Sequence, residues 1–422
     1  MLNLLRWIFI SVAILDIQAN AASLPENIDT SLSVRGAVWS GDRFLSDTDN
    51  LSTLDAWGKI DVDLEEKGQI VGQAFAQTIV SPELTASVSD EQNNARIREL
   101  YWKVNGDAWS MRIGRQLIAL GRADGLNPTD NLSPKHFTLL TPEDSDQRFG
   151  NDAVNLGYQV GDHTFSAIWF PSAASNIIPL EAHPAITYVK RPAPEENQYA
   201  LKWETLGSNF DSSVSWFDGY DPMPDLSVAN LSPEGIVVAQ SNNKFRVLGA
   251  DLSYPHGNKV WRFEAAYSDT QSAGPNDFTR KKSRVWFVGG PEWTLDGGLT
   301  LNLQLSLQHI YDHADPEELS QPFQDVAWRQ LALSNQTEPN QQGITWRIAK
   351  TGFNDSLLLE TTGVTFWPNA NGLSRSKINY AISDALHIQA GYEAYFGSGH
   401  SFFEQLKPNN IVYLQLRYMT AH

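Results

Sequence analysis

The stretch LTLNLQLSL, residues 299–307, constrains the fold of this chain more than any other. Leucine stands at every odd position and a polar residue at every even one. Side chains along an extended strand alternate sides, so five leucines fall on one face and Thr300, Asn302, Gln304 and Ser306 on the other. The same period of two recurs. In 56–64, Ile60, Val62 and Leu64 alternate with Lys59, Asp61 and Asp63. In 259–268, Trp261, Phe263, Ala265 and Tyr267 alternate with Arg262, Glu264 and Ser268. Leu386 to Phe396 keeps the pattern with His387, Gln389 and Glu393 on the polar face, as do Val412, Leu414, Leu416 and Tyr418 against Gln415 and Arg417. After the N-terminal segment, no window approaches the ~20 consecutive apolar residues of a membrane-spanning helix.

About 18 such strands can be placed, a number of segments set by the periodicity. They fall near 32–40, 54–65, 68–80, 95–104, 108–117, 151–160, 163–170, 197–206, 210–218, 244–254, 258–269, 281–290, 298–311, 342–350, 356–366, 374–382, 385–396 and 410–418. Their connections alternate in length. Glu66-Lys67, Asn105-Gly106, Gly161-Asp162, Gly207-Ser208-Asn209, Pro255-His256-Gly257, Asn354-Asp355 and Ser383-Asp384 are tight turns. The intervening connections are longer: 41–53, 81–94, 118–150, 171–196, 219–243, 270–280, 312–341, 367–373 and 397–409. Short turns on one side, long loops on the other and an even strand count describe an all-β transmembrane antiparallel barrel with periplasmic turns and extracellular loops. A soluble sandwich has no reason to keep that parity. Segment 322–334, PFQDVAWRQLALS, would add an odd strand, and is expected as a short helix or hairpin within an outer loop.

Composition agrees with a barrel. Fourteen Trp, 13 Tyr and 19 Phe coexist with a mean hydropathy of −0.33, as aromatic girdles on an alternating wall require. Cysteine is absent, so a closed sheet rather than disulfides must hold the chain. The formal charge of −18, from 49 acidic and 31 basic residues, excludes nucleic acid as a natural partner. The N-terminus, MLNLLRWIFISVAILDIQANAAS, reads as a signal peptide over 1–21, with Arg6, a short apolar run and Ala19-Asn20-Ala21 before the cut. That leaves 22–422 for the barrel, delivered to the outer membrane of a Gram-negative bacterium.

Ile113-Gly114-Arg115-Gln116, the following Gly121, Asp124, Asn127-Pro128 and Asp130, and the final hairpin GSGHSFFEQLKPNNIVYLQLRY resemble the alginate-export-type outer-membrane porins. That resemblance implies a barrel of similar strand number and a channel for polar, often anionic, solutes. One departure is that such barrels usually end on an aromatic residue, whereas this chain runs on past Tyr418 as Met-Thr-Ala-His. Outer-membrane lipid, lipopolysaccharide and the barrel-assembly machinery are the partners such a reading implies.

If apolar faces meet lipid, polar faces line the pore. The residues then expected inside are Lys59, Asp61, Asp63, Glu99, Lys103, Arg112, Lys202, Glu204, Arg262, Glu264, Arg347, Lys377, His387, Glu393 and Arg417. Each is either a solute contact or half of an ion pair bracing the wall, and Arg112, Arg262 and Arg347 are favoured for solute contact. The two signs are roughly balanced, which argues against a strictly anion-selective pore. Of Trp39, Trp57, Trp102, Trp109, Trp203, Trp261 and Trp346, only Trp39 and Trp57 share the parity of polar neighbours. General porins fold the loop at this same place into the barrel, and that resemblance implies that the connection 118–150 is a constriction loop; three prolines and Asn127, Asp130 and Asn131 would give it a fixed shape. Its Arg122, Asp124, Asp130, Lys135 and Arg148 would then face solute or pin the loop. Glu143, Asp144 and Asp146 form a possible Ca²⁺ site, since hard cations take several carboxylates.

The expected function is passive passage of small polar or anionic solutes or oligosaccharides. A surface-exposed barrel enzyme and a secreted soluble carbohydrate-binding β-protein are the alternatives. His309 and His313 are the nearest approach to a catalytic base, and no nucleophile elbow accompanies them.

Overall fold

The computed structural model describes residues 25–41, 50–80, 93–180, 185–207, 209–233 and 235–421. The expected signal peptide lies outside them. The strands in chain order are β1 (Ile28–Ser40), β2 (Asn50–Asp63), β3 (Gln69–Val80), β4 (Asn93–Asn105), β5 (Trp109–Gln116), β6 (Asn151–Val160) and β7 (His163–Phe170). There follow β8 (Ile186–Lys190), β9 (Gln198–Leu206), β10 (Asp211–Tyr220), β11 (Asp225–Ser232), β12 (Gly235–Ser241), β13 (Lys244–His256) and β14 (Lys259–Asp269). The last seven are β15 (Arg284–Leu295), β16 (Leu299–Ile310), β17 (Asn340–Gly352), β18 (Leu357–Trp367), β19 (Asn371–Ala381), β20 (Leu386–Phe396) and β21 (Ile411–Ala421).

Eighteen of these form one sheet, each paired antiparallel with its neighbours. The sheet closes where β1 runs against β21, from Ser31↔Ala421 to Ser40↔Val412. No strand of the barrel is left with an open edge, the arrangement that satisfies every backbone group in hydrocarbon. All eighteen segments expected from periodicity are these strands. The tight turns stand where the alternation places them, and strand boundaries shift by up to five residues, most at the end of β15. The connection between β18 and β19 is a correction: it was expected among the long ones, yet only residues 368–370 separate the two strands.

Faces divide as period two demands. On β16, Leu303, Leu305 and Leu307 are exposed on the outside, while Asn302, Gln304, Ser306 and Gln308 are buried inside. Segment 322–334 contains a helix, α1 (Phe323–Leu333). It packs on a second, small sheet in which β8 pairs parallel with β12 and β12 antiparallel with β11. Ile178, Leu226, Val238, Val326 and Leu333 form the core between them. The loops on the long-connection side thus build a cap.

Candidate functional site

Connection 117–150 enters the barrel and ties itself to strands on opposite sides. Backbone geometry sends it there. Gly121 adopts φ +79°, and a Cβ at that position would lie 2.2 Å from the Glu264 carboxylate, so only glycine lets the chain pass. Ile118, Leu120 and Leu132 then bury against inward apolar residues of the wall, among them Ile168, Phe170, Phe217 and Phe245.

The first limb docks on β9, β13, β14 and β16. Glu264 is 1 % exposed and accepts four hydrogen bonds from the loop. The amides of Arg122 and Ala123 reach its Oε2 at 3.0 and 3.1 Å, and the amide and hydroxyl of Thr129 reach its Oε1 at 2.7 and 2.9 Å. Arg122 pairs with Glu204 at 2.6 Å and Asp251 at 2.6 Å, with Asp211 at 3.6 Å. Lys202 supports Glu204 at 2.9 Å. Asp124 takes Arg262 at 2.9 Å and Asn302 at 2.7 Å. Within the loop, Asp130 pairs with Arg148 and, at 3.5 Å, with Lys135.

The second limb docks on the other side. The Leu140 carbonyl accepts from Gln77 on β3 at 2.8 Å. Arg98 on β4 donates to the carbonyls of Ser145 and Arg148 at 2.6 and 2.9 Å. Asp146 pairs with the buried Arg35 of β1. Glu143 pairs with Lys377 at 3.0 Å and Asp144 with Arg375, both on β19. The three acids considered for Ca²⁺ thus each take a different wall cation. A third set of bonds ties the loop to the cap: the Phe137 amide donates to the Ile177 carbonyl and the Ile177 amide to the Lys135 carbonyl, both at 2.9 Å.

The remaining expected residues sort by level. Lys59 and Asp61 pair at 2.5 Å. Glu99 accepts the Leu117 amide at 2.9 Å where the loop begins. Arg347 and Lys377 share Glu360 at 2.7 and 3.1 Å, and Arg375 also takes Glu393 at 3.2 Å. Arg262 adds Glu292 at 3.5 Å. Lys103 and Arg112 sit in register near the short-turn end, as do His387 and Arg417. Asp63 caps the turn after β2, accepting the Glu65 amide at 2.9 Å. Trp57 faces inward and stacks on Phe75 with ring centroids 4.7 Å apart. The guanidinium groups of Arg35 and Arg98 stand 5.0 and 5.6 Å from its ring. Trp39 faces inward too, against Tyr413. His309 lies on the outer face beside Asn340 at 2.7 Å, and His313 contacts the Gln336 carbonyl at 3.1 Å.

Sequence reasoning missed Arg35, Arg98 and Arg375. Arg35 and Arg375 follow from simple parity. Arg98 does not: it is the extra residue of a bulge where Gln73 pairs Glu99 and Ala74 pairs Ile97, so Arg98 and Glu99 both face inward.

Two cavities bordered by the described residues lie in the lumen beside the loop. The lower, about 590 Å³, is bordered by Arg35, Lys59 and Arg98 with Asp146 and Asp384. The upper, about 270 Å³, is bordered by Glu143, Asp144, Glu360 and Glu393 with Arg375 and Lys377. The lower is therefore slightly basic and the upper acidic.

No family model and no curated protein matches this chain. Solved structures do. OccAB2 of Acinetobacter baumannii superposes with a TM-score of 0.58 at 11 % identity, covering 94 % of this chain and 99 % of its own. OpdK of Pseudomonas aeruginosa, solved with vanillate, gives 0.57 at 11 %, with 94 % and 99 % coverage. OccAB1 of A. baumannii gives 0.57 at 10 %, with 94 % and 97 %. The chain has the eighteen-stranded fold of these outer-membrane proteins. At such identity the likeness speaks to architecture; the charges inside are this chain's own.

Proposed function

We propose that this protein is an outer-membrane channel for passive diffusion of small polar solutes, anions among them. The observation that carries the reading is the loop 117–150, which narrows a closed, polar-lined barrel without filling it. The outward leucines, isoleucines and aromatics suit lipid contact. Inside, charges of both signs oriented across a narrow passage would align a polar solute and slow one that cannot offer matching groups. The vanillate bound by OpdK and the resemblance to alginate-export-type porins both favour small carboxylates or oligosaccharide acids as solutes. The acidic upper chamber argues for weak rather than strict anion preference. Ca²⁺ at Glu143, Asp144 and Asp146 would have to compete with three wall cations. Lipopolysaccharide and the barrel-assembly machinery are the partners this reading brings with it. Planar-bilayer recording tests it: discrete conductance steps are expected, larger after deletion of 118–149. Absence of conductance from both proteins would end the channel reading.

A further inference from the structure

Residues 142–145 form a small finger with a pinched neck. Its two ends are held together because the Thr141 hydroxyl donates to Asp146 at 2.7 Å, and the Asp146 amide donates to the Glu143 carbonyl at 3.0 Å. The neck is anchored, since Asp146 sits on the buried Arg35. The tip is held differently. Glu143 and Asp144 reach Lys377 and Arg375, with the Asp144 side chain 74 % exposed and the other three partly exposed, at 18–32 %. Ion pairs open to water contribute only about 0–1 kcal/mol each and weaken with salt. The first limb is held in addition by the buried Glu264 and Asp251, which water screens far less.

The finger also lies between the two chambers. Pro142, Glu143, Asp144 and Ser145 border the upper one, and Asp146 the lower. Their levels follow from the seam: Tyr413 borders the upper cavity and Met419 the lower, opposite Trp39 and Ser33 of β1. Six residues of a strand tilted by roughly 40° separate those levels by about 15 Å along the barrel axis.

We propose that Pro142–Asp144 is a latch between the chambers, hinged where Arg98 holds the Ser145 carbonyl at 2.6 Å. It is closed by the pairs Glu143–Lys377 and Asp144–Arg375 and by Gln389, which donates to Glu143 at 3.3 Å, and it swings about the Thr141–Asp146 neck while the first limb stays docked. Opening joins the chambers into one passage. The proposal rests on the channel reading above, and deepens it by naming the moving part.

The test compares the wild type, E143Q/D144N and a deletion of 118–149 in planar bilayers, after heat-modifiable gel mobility confirms each barrel has formed. The double variant is expected to show at least a twofold rise in unit conductance or open time. The wild type is expected to approach that behaviour as ionic strength rises, beyond the increase in bulk conductivity. A thiol at S145C, in a chain otherwise free of cysteine, should react severalfold faster with a small methanethiosulfonate in the E143Q/D144N background. Wild-type conductance, salt response and thiol reactivity in the double variant, with a conducting deletion, would overturn the latch and leave the channel standing. No conductance from any of the three would overturn both.

Discussion

Glu264 shows how one side chain can hold a loop in place. Its carboxylate carries four donors from Arg122, Ala123 and Thr129, where a glutamine offers one oxygen and an amide that repels N–H groups. We expect E264Q to cost about 2–4 kcal/mol of loop docking, since hydrogen bonds to a charged group contribute roughly 1.5–3 kcal/mol each and partly recover through water. Limited trypsin digestion should then cut at Arg122 in the variant and spare the wild type. His136 is the second residue with a clear consequence. Burial, aided by Arg96, pushes its imidazole down to about 4, while its ring nitrogens face Asn94 at 3.2 Å and Thr138 at 3.1 Å. A group depressed in the folded state is protonated first in the unfolded one. Loop docking is therefore fully supported above ~6.5 and weakens as pH falls toward 4, by at most about 3 kcal/mol. Hydrogen-exchange protection over 135–139, corrected for the pH dependence of intrinsic exchange, should fall across that window in the wild type and stay level in H136Q.

At the scale of elements, the cap is joined through Lys281. This buried ammonium pairs with Asp225 at 2.9 Å and Asp221 at 3.3 Å. Burial pushes it down, but the two carboxylates outweigh that and hold it above the ordinary lysine range. Gln330 of α1 also donates to Asp225, and accepts from the Leu226 amide, so three outer loops meet at one point. K281M leaves the buried Asp225 and the partly buried Asp221 without their cation, a loss of roughly 3–5 kcal/mol. Protease sensitivity between β10 and β13 should rise, while the gel mobility of the barrel stays unchanged. Such elements were the hardest to read in the sequence. A barrel strand faces two environments and its side chains alternate; β8, β11 and β12 are covered by α1 and by one another, and carry no such signature. The inward aromatics Phe170, Phe217 and Phe245 broke the polar-inside rule because the loop, not water, covers them. Arg98 was hidden by a bulge that breaks parity. The alternation itself, and the place of the long connection between β5 and β6, were legible.

For the whole molecule, closure is the condition of stability. β21 pairs with β20 on one side and β1 on the other, so removing Ile411–Ala421 exposes two long edges at once. We expect that truncation to give aggregated protein without a heat-modifiable band, where the full chain shifts on boiling. Within the closed barrel, the infolded loop touches Asp251 on β13 through Arg122 and Arg35 on β1 through Asp146. Nine steps around the eighteen-strand ring separate those strands in either direction. Positions on opposite walls, with no contact between them, are therefore wired through a single span of chain. Substitutions at Asp251 and Arg35 should fail to add in a double-mutant cycle, so that the history of a change on one wall decides which changes the other can tolerate.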